Sequence, residues 1–163
     1  MKRCVGGVLP GHCLPDRVRA TTIEVMTALP YAYFDHDADI GIVGRGATVE
    51  AAFVAAAAAM FAIMADLPKV RGEVSVAIAF EESDVELALV TWLNRLLAEA
   101  RGEGLIFGHF ELTRRDGQWQ GTAWGERWRE DLERGVEVKG ATLTMLSVQQ
   151  ADGVWEARCV VDV

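Results

Sequence analysis

The sequence predicts an α+β domain, a two-layer sandwich in which two α-helices pack on one face of a single mixed β-sheet. Three observations carry this. Two segments repeat their apolar residues at three- and four-residue steps, and several others alternate apolar with small or polar residues. The order runs strand, strand, helix, strand, helix and then strands only, which is not the steady βα alternation of a doubly wound fold. The 163 residues fit one domain, and 51% hydrophobic with 25% charged residues supplies both a core and a solvated surface.

Residues 1–28 carry Gly6, Gly7, Pro10, Gly11 and Pro15 without periodicity and read as an irregular extension, with Met26 as an alternative start; the domain is expected over 29–163. Tyr31 to Asp35 and Ile40 to Val43 read as short strands, the second followed by a Gly44-Arg45-Gly46 turn. Thr48 suits the N-cap of a helix whose buried face is Val49, Phe53, Ala56, Met60 and Ile63. The run Ala55 to Ala59 makes that helix thin enough to lie close against a neighbour. Val74, Val76, Ile78 and Phe80 alternate with Ser75, Ala77 and Ala79, as a strand requires. Ser83-Asp84-Val85-Glu86 has the capping-box pattern and opens a second helix, buried through Leu89, Trp92, Leu93, Leu96 and Ala100 and stopped by Gly102. Strands follow from Leu105, with Asp116-Gly117 and Asp152-Gly153 marking tight hairpin turns.

With 16 Lys+Arg against 24 Asp+Glu the net charge is -8, so the field of the protein repels phosphate backbones and favours cations or basic protein surfaces. Cys4, Cys13 and Cys159 form no CxxC pair, and Cys4, Cys13 and His12 lack a fourth zinc ligand; a reducing cytoplasm is the expected setting. The apolar stretch after Met1-Lys2-Arg3 is broken at once by glycine and proline, unlike an export signal. The uncharged run Ala51 to Ala65 falls short of the roughly 20 residues that cross a bilayer, so no membrane span is expected.

Chemistry concentrates in Asp35-His36-Asp37-Ala38-Asp39, three carboxylates and an imidazole within five residues. Carboxylate oxygens are hard ligands and suit Ca²⁺, Mg²⁺ or Mn²⁺. An EF-hand loop is excluded, because Ile40 stands where it needs glycine and Gly46 where it needs glutamate. A solvated acidic strand end remains the alternative. The C-terminal strand presents a second acidic point, Asp162 together with the terminal carboxylate of Val163. His36 could serve as an Asp-oriented base, though a loop hydrogen bond is the commoner role. Trp119, Trp124 and Trp128 could stack on bases but more readily fill a core or interface. Gly44-Arg45-Gly46 lacks the context of a nucleotide fingerprint, and no G-x-S-x-G or Walker sequence occurs.

Taken together, Phe34-Asp35-His36-Asp37-Ala38-Asp39-Ile40-Gly41-Ile42, Gly46-Ala47-Thr48-Val49-Glu50-Ala51-Ala52-Phe53 and Met60-Phe61-Ala62-Ile63-Met64 resemble the archease signature. Trp92-Leu93-Asn94-Arg95-Leu96-Leu97, Gly125-Glu126, Val138-Lys139-Gly140-Ala141-Thr142 and Val160-Val161-Asp162-Val163 extend the resemblance from Tyr31 to the last residue. It implies an α+β fold and a divalent metal site built from Asp39, Asp162 and Val163, with Ca²⁺ foremost and Mg²⁺ or Mn²⁺ as alternatives. It also implies a partner, an RtcB-type RNA ligase that joins 2′,3′-cyclic phosphate or 3′-phosphate ends to 5′-hydroxyl ends with GTP and Mn²⁺. On that footing the chain is no enzyme but an activator that promotes guanylylation and repeated turnover in tRNA splicing or RNA repair, meeting RNA only through the ligase. Glu126 and Lys139 match positions associated with activation, by projecting toward the ligase site.

Two departures stand out. Asp37 replaces the usual Thr of H-T-A-D, adding charge beside the expected metal as a further ligand or a shift in metal preference, and the histidine common before the VKA-T element has no counterpart in Leu132-Glu133-Arg134-Gly135. The rival expectations are a stand-alone metal-dependent phosphohydrolase and a chaperone-like interaction module.

Overall fold

The computed structural model describes residues 29–163, so the expectations for residues 1–28, including Cys4, His12 and Cys13, lie outside the described residues. The chain runs β1 (Tyr31–His36), β2 (Asp39–Gly46), α1 (Val49–Met64), a 3-10 turn at Leu67–Lys69, β3 (Val74–Glu81), α2 (Val85–Glu103), β4 (Leu105–Arg115), β5 (Gln118–Arg127), β6 (Gly140–Ala141), β7 (Ser147–Ala151) and β8 (Val154–Asp162). The α+β class is as expected. The single mixed sheet is not: there are two sheets, β1-β2-β8-β6 with β7 also on β8, and β3-β5-β4. Every pairing is antiparallel.

Helix α1 explains the division. It packs against β1, β2 and β8 of the first sheet and against β4 of the second. Ala52, Phe53, Ala55, Ala56, Ala57, Ala59, Met60 and Phe61 are all buried, so the helix is apolar all round rather than along one stripe. Its alanines allow a close approach: a Cβ on Gly44 of β2 would collide with the Ala52 carbonyl oxygen and the Ala56 amide nitrogen. For that reason Gly44-Arg45-Gly46 is strand and not turn, its ladder running on from Gly44↔Ala157 to Gly46↔Trp155.

Helix α2 meets β3, β4 and β6 through Leu89, Trp92, Leu93, Leu96 and Ala100, the face its periodicity defines. Trp92 lies on Gly121 of β5, where an added Cβ would come within 2.6 Å of its ring, and its indole N–H donates to the Phe53 carbonyl at 3.2 Å. Phe53 in turn stacks on Trp119 at 5.1 Å, which settles Trp119 as core. The helix ends differ from the capping-box expectation. Asp84, not Ser83, is the N-cap, accepting from the Leu87 N–H at 3.0 Å, while Glu82 accepts from the Asp84 N–H at 3.0 Å. Gly104, not Gly102, ends the helix, since its φ of 65° admits the left-handed C-cap. Thr48 does cap α1, accepting from the Ala51 N–H at 3.1 Å.

Both Asp-Gly hairpins form as expected, with positive φ at Asp116 (52°) and Gly117 (74°) and at Asp152 (52°) and Gly153 (76°). Met145, between β6 and β7, also has a positive φ of 52°, which costs a non-glycine residue about 1 kcal/mol.

Gly44→Ala should destabilise the fold by about 1–3 kcal/mol through forced separation of α1 from β2. Urea unfolding of the two proteins measures it, and an unchanged midpoint would refute the close-contact account.

Candidate functional site

The site begins with register. Directly paired residues share a sheet face, and His36 pairs with Asp39, Ile40 with Val161, and Asp162 with Gly140. Successive side chains alternate, and Ile42, Cys159 and Val161 are buried beneath α1. Asp39 and Asp162 are therefore neighbours at one end of the first sheet, on the face away from α1. Asp39 is half-buried and Asp162 exposed.

Backbone contacts close the cluster. The Val163 N–H donates to Asp39 Oδ1 at 3.4 Å, the Lys139 N–H donates to the Asp162 carbonyl at 2.7 Å, and Lys139 Nζ donates to the Val163 oxygen at 3.0 Å. Asp39, Asp162, Val163 and Lys139 thus come together from segments far apart in the chain. Helix α2 holds the edge they stand on. Asn94 exchanges two hydrogen bonds with Ala141, at 3.0 and 2.9 Å, and Arg101 donates to the Val138 and Lys139 carbonyls at 2.6 Å each. No role was legible for Asn94 or Arg101 beforehand. The available signal was a polar residue interrupting the apolar face of α2.

The rest of the acidic stretch separates from this cluster. Asp37 occupies the β1–β2 turn with φ 50°, a left-handed conformation that aspartate tolerates better than most residues. That gives a conformational reason for aspartate there. Asp35 pairs with Ile40 and so points to the other face. Phe34 covers Gly41, where a Cβ would collide with its ring, and the Arg158 guanidinium lies 5.6 Å from the Phe34 centroid.

Among the described residues, no three His, Cys, Asp or Glu side chains form a metal cluster. The donors that strand register brings to this sheet end are the Asp39 and Asp162 carboxylates and the Val163 oxygen. This all-oxygen set fits a hard divalent cation that keeps water ligands and is unsuited to a thiolate-seeking metal. His36 Nδ1, in the same row of the sheet, is buried and has no hydrogen-bond partner among the described residues.

Glu126, expected to project toward the ligase site, is instead turned into the protein. It lies in β5 of the second sheet at 2% exposure, where it accepts from the Arg71 N–H at 3.1 Å and from Arg129 Nε at 3.1 and 3.2 Å. Arg129 continues to Asp131 at 2.6 Å and to the Lys69 carbonyl at 2.9 Å. Burial opposes ionisation of Glu126, but the Arg71 amide and the Arg129 guanidinium outweigh it and hold the carboxyl below its usual range. Burial pushes the Cys159 thiol up to about 12, which leaves it unreactive at neutral pH. Trp124 packs on His109 at 5.1 Å, and Trp128 lies under Arg134 at 4.0 Å beside a groove of about 530 Å³.

The two-sheet α+β fold defines a class already represented among solved structures. The solution structure of protein 1598 from Methanobacterium thermoautotrophicum superposes with a TM-score of 0.75 at 31% identity, covering 83% of this chain and 100% of that one. The crystal structure of an archease from Thermotoga maritima, described as a possible chaperone, shares the fold with a TM-score of 0.57 at 18% identity, covering 80% of this chain and 94% of that one. In sequence, the archease protein of Sulfolobus acidocaldarius is 37% identical over 136 residues, 82% of this chain and 98% of the relative. That of Pyrococcus furiosus is 36% identical over 139 residues, 82% and 98% respectively. The model of the archease protein family matches residues 31–163, and the chain belongs to that family.

The depressed carboxyl of Glu126 stabilises the fold fully above its ordinary pKa of 4.5, and this contribution is lost as pH falls through the lower folded value. Glu126→Gln should therefore lower the melting temperature at neutral pH, with the gap to wild type narrowing below pH 4.5. A gap independent of pH, measured by thermal melts across that range, would contradict the assignment.

Proposed function

We propose that this chain is a metal-binding accessory protein that activates an RtcB-type RNA ligase, promoting its guanylylation and repeated turnover in tRNA splicing or RNA repair. One observation carries the reading: Asp39, Asp162 and the Val163 oxygen, from opposite ends of the domain, meet on one sheet end within reach of Lys139. Asp39, Asp162 and Val163 would hold a divalent cation, Ca²⁺ foremost or Mg²⁺ or Mn²⁺. Bound there, the cation supplies a concentrated positive charge that can orient phosphate or carboxylate oxygens. Lys139 fixes the Val163 oxygen and offsets part of the local negative charge. The net charge of -8 directs the protein to a basic partner surface and leaves the RNA to the ligase. With Glu126 enclosed by Arg71 and Arg129, its part is to shape the second sheet rather than to touch the partner.

The protein acts in this reading without completing a reaction of its own, in the cytoplasm. None of the described helices is long and apolar enough to cross a membrane.

Multiple-turnover ligation of a 3′-phosphate RNA by the cognate ligase tests the proposal. Wild type should stimulate, while Asp39→Ala and Asp162→Ala should lose at least tenfold of that stimulation. Equal stimulation by all three proteins would keep the partner and remove the metal. Protection of unrelated unfolded clients with no effect on the ligase would favour a chaperone module, and phosphoester hydrolysis by the pure protein would favour a phosphohydrolase.

Metal binding has its own readout. A cation present at 100 times its dissociation constant should stabilise wild type by about 2.7 kcal/mol. Calorimetric titration with Ca²⁺, Mg²⁺ and Mn²⁺ ranks the ions, and Asp39→Ala should abolish the heat.

A further inference from the structure

Between β6 and β7 the chain leaves the sheet edge over Thr142 to Leu146 and exposes two large apolar side chains, Leu143 at 64% and Met145 at 46%. This loop is held firmly. The Thr142 N–H and hydroxyl both donate to the Val160 carbonyl, at 3.0 and 2.8 Å, and the Val160 N–H donates back to the Thr144 carbonyl at 3.0 Å. The Thr144 N–H donates to the Thr142 hydroxyl oxygen at 3.2 Å, and Leu146 packs on the core. Met145 adopts a positive φ that glycine would take without strain. Neither exposed side chain fills the core, and one is kept in a conformation its residue type disfavours.

Position gives the loop its meaning. Its anchor, Val160, lies two residues from Asp162 on β8, roughly 7 Å along a strand. We propose that Leu143 and Met145 form an apolar docking tip that seats in a depression rimmed by Lys or Arg on a protein partner. This rests on the ligase-activator reading and names how that partner is held. Charge selects the occupant. The neighbouring Asp39 and Asp162, the Asp35 and Asp37 of the adjoining hairpin and the net charge of -8 repel RNA and anionic lipid surfaces alike. A basic protein surface meets both the carboxylates and the apolar tip. An interface of about 800 Å² per partner covers both together.

The test uses the full chain carrying Leu143→Ser and Met145→Gly. Met145→Gly removes the side chain and the backbone strain at once, so that single variant should melt no lower than wild type. The double variant should bind the cognate RtcB-type ligase at least tenfold more weakly and need at least tenfold more protein for half-maximal stimulation. Its maximal stimulation at saturation and its Ca²⁺ affinity should match wild type, whereas Asp39→Ala should lose the maximum. Unchanged ligase affinity of the double variant overturns the docking tip and leaves the activator reading standing. Absence of both binding and stimulation by folded wild type overturns the activator reading, and the docking tip with it.

Discussion

The ladder that joins β2 to β8, from Ile40↔Val161 to Gly46↔Trp155, places the first and last parts of the domain side by side within one sheet. Its register decides two things at once. Ile42, Cys159 and Val161 turn inward under α1, and Asp39 comes to stand beside Asp162 on the other face. A slip of one residue would send the apolar set into water and the carboxylates toward the core, so burial of one face fixes the chemistry of the other. The register is held in turn by the approach of α1 to Gly44, which only small side chains on both elements permit.

The two charged clusters differ in how their charge is met. Around Glu126, a buried carboxylate receives a backbone N–H and a guanidinium, and Asp131 takes the remaining charge of Arg129. The buried carboxylate of that network is met by protein donors, and the network reaches solvent at Asp131. At the sheet end, Asp39 and Asp162 have Lys139 and a backbone N–H near them but retain open oxygens toward solvent. The enclosed network suits a structural role, and the open one suits a ligand or a partner. Asn94 and Arg101 stiffen the open site from behind, because a site on braced strands keeps its geometry better than one on a free tail.

Much of the architecture was legible because its signals are local. Thr48 capping, the apolar face of α2 and both Asp-Gly hairpins depend on contacts within a few residues, and each forms as read. Where local patterns overlapped, the outcome was less direct. Asp84 and Ser83 both suit an N-cap, Gly102 and Gly104 both suit a stop, and Gly44-Arg45-Gly46 has turn composition yet is drawn into strand by β8 and α1. The single sheet became two because α1 is apolar on every side and must be covered from more than one direction.

Of the candidate site, Asp39 and Asp162 were legible as separated acidic points, and the family resemblance supplied the idea that they meet. Their meeting is a property of the folded chain: the hydrogen bond between Val163 and Asp39 spans 124 positions. Glu126 was visible as a matching residue, but its enclosure by Arg71 and Arg129 was not, since those contacts join a strand to two loops far apart in the chain. The sequence by itself determined most of the element order, the Thr48 cap, both Asp-Gly hairpin turns, the charge and the family, because these follow from residues close together or from their sum. Tertiary structure alone decided the number of sheets, which carboxylates stand together and which is sealed away, because these depend on strand register and on what α1 must be packed against.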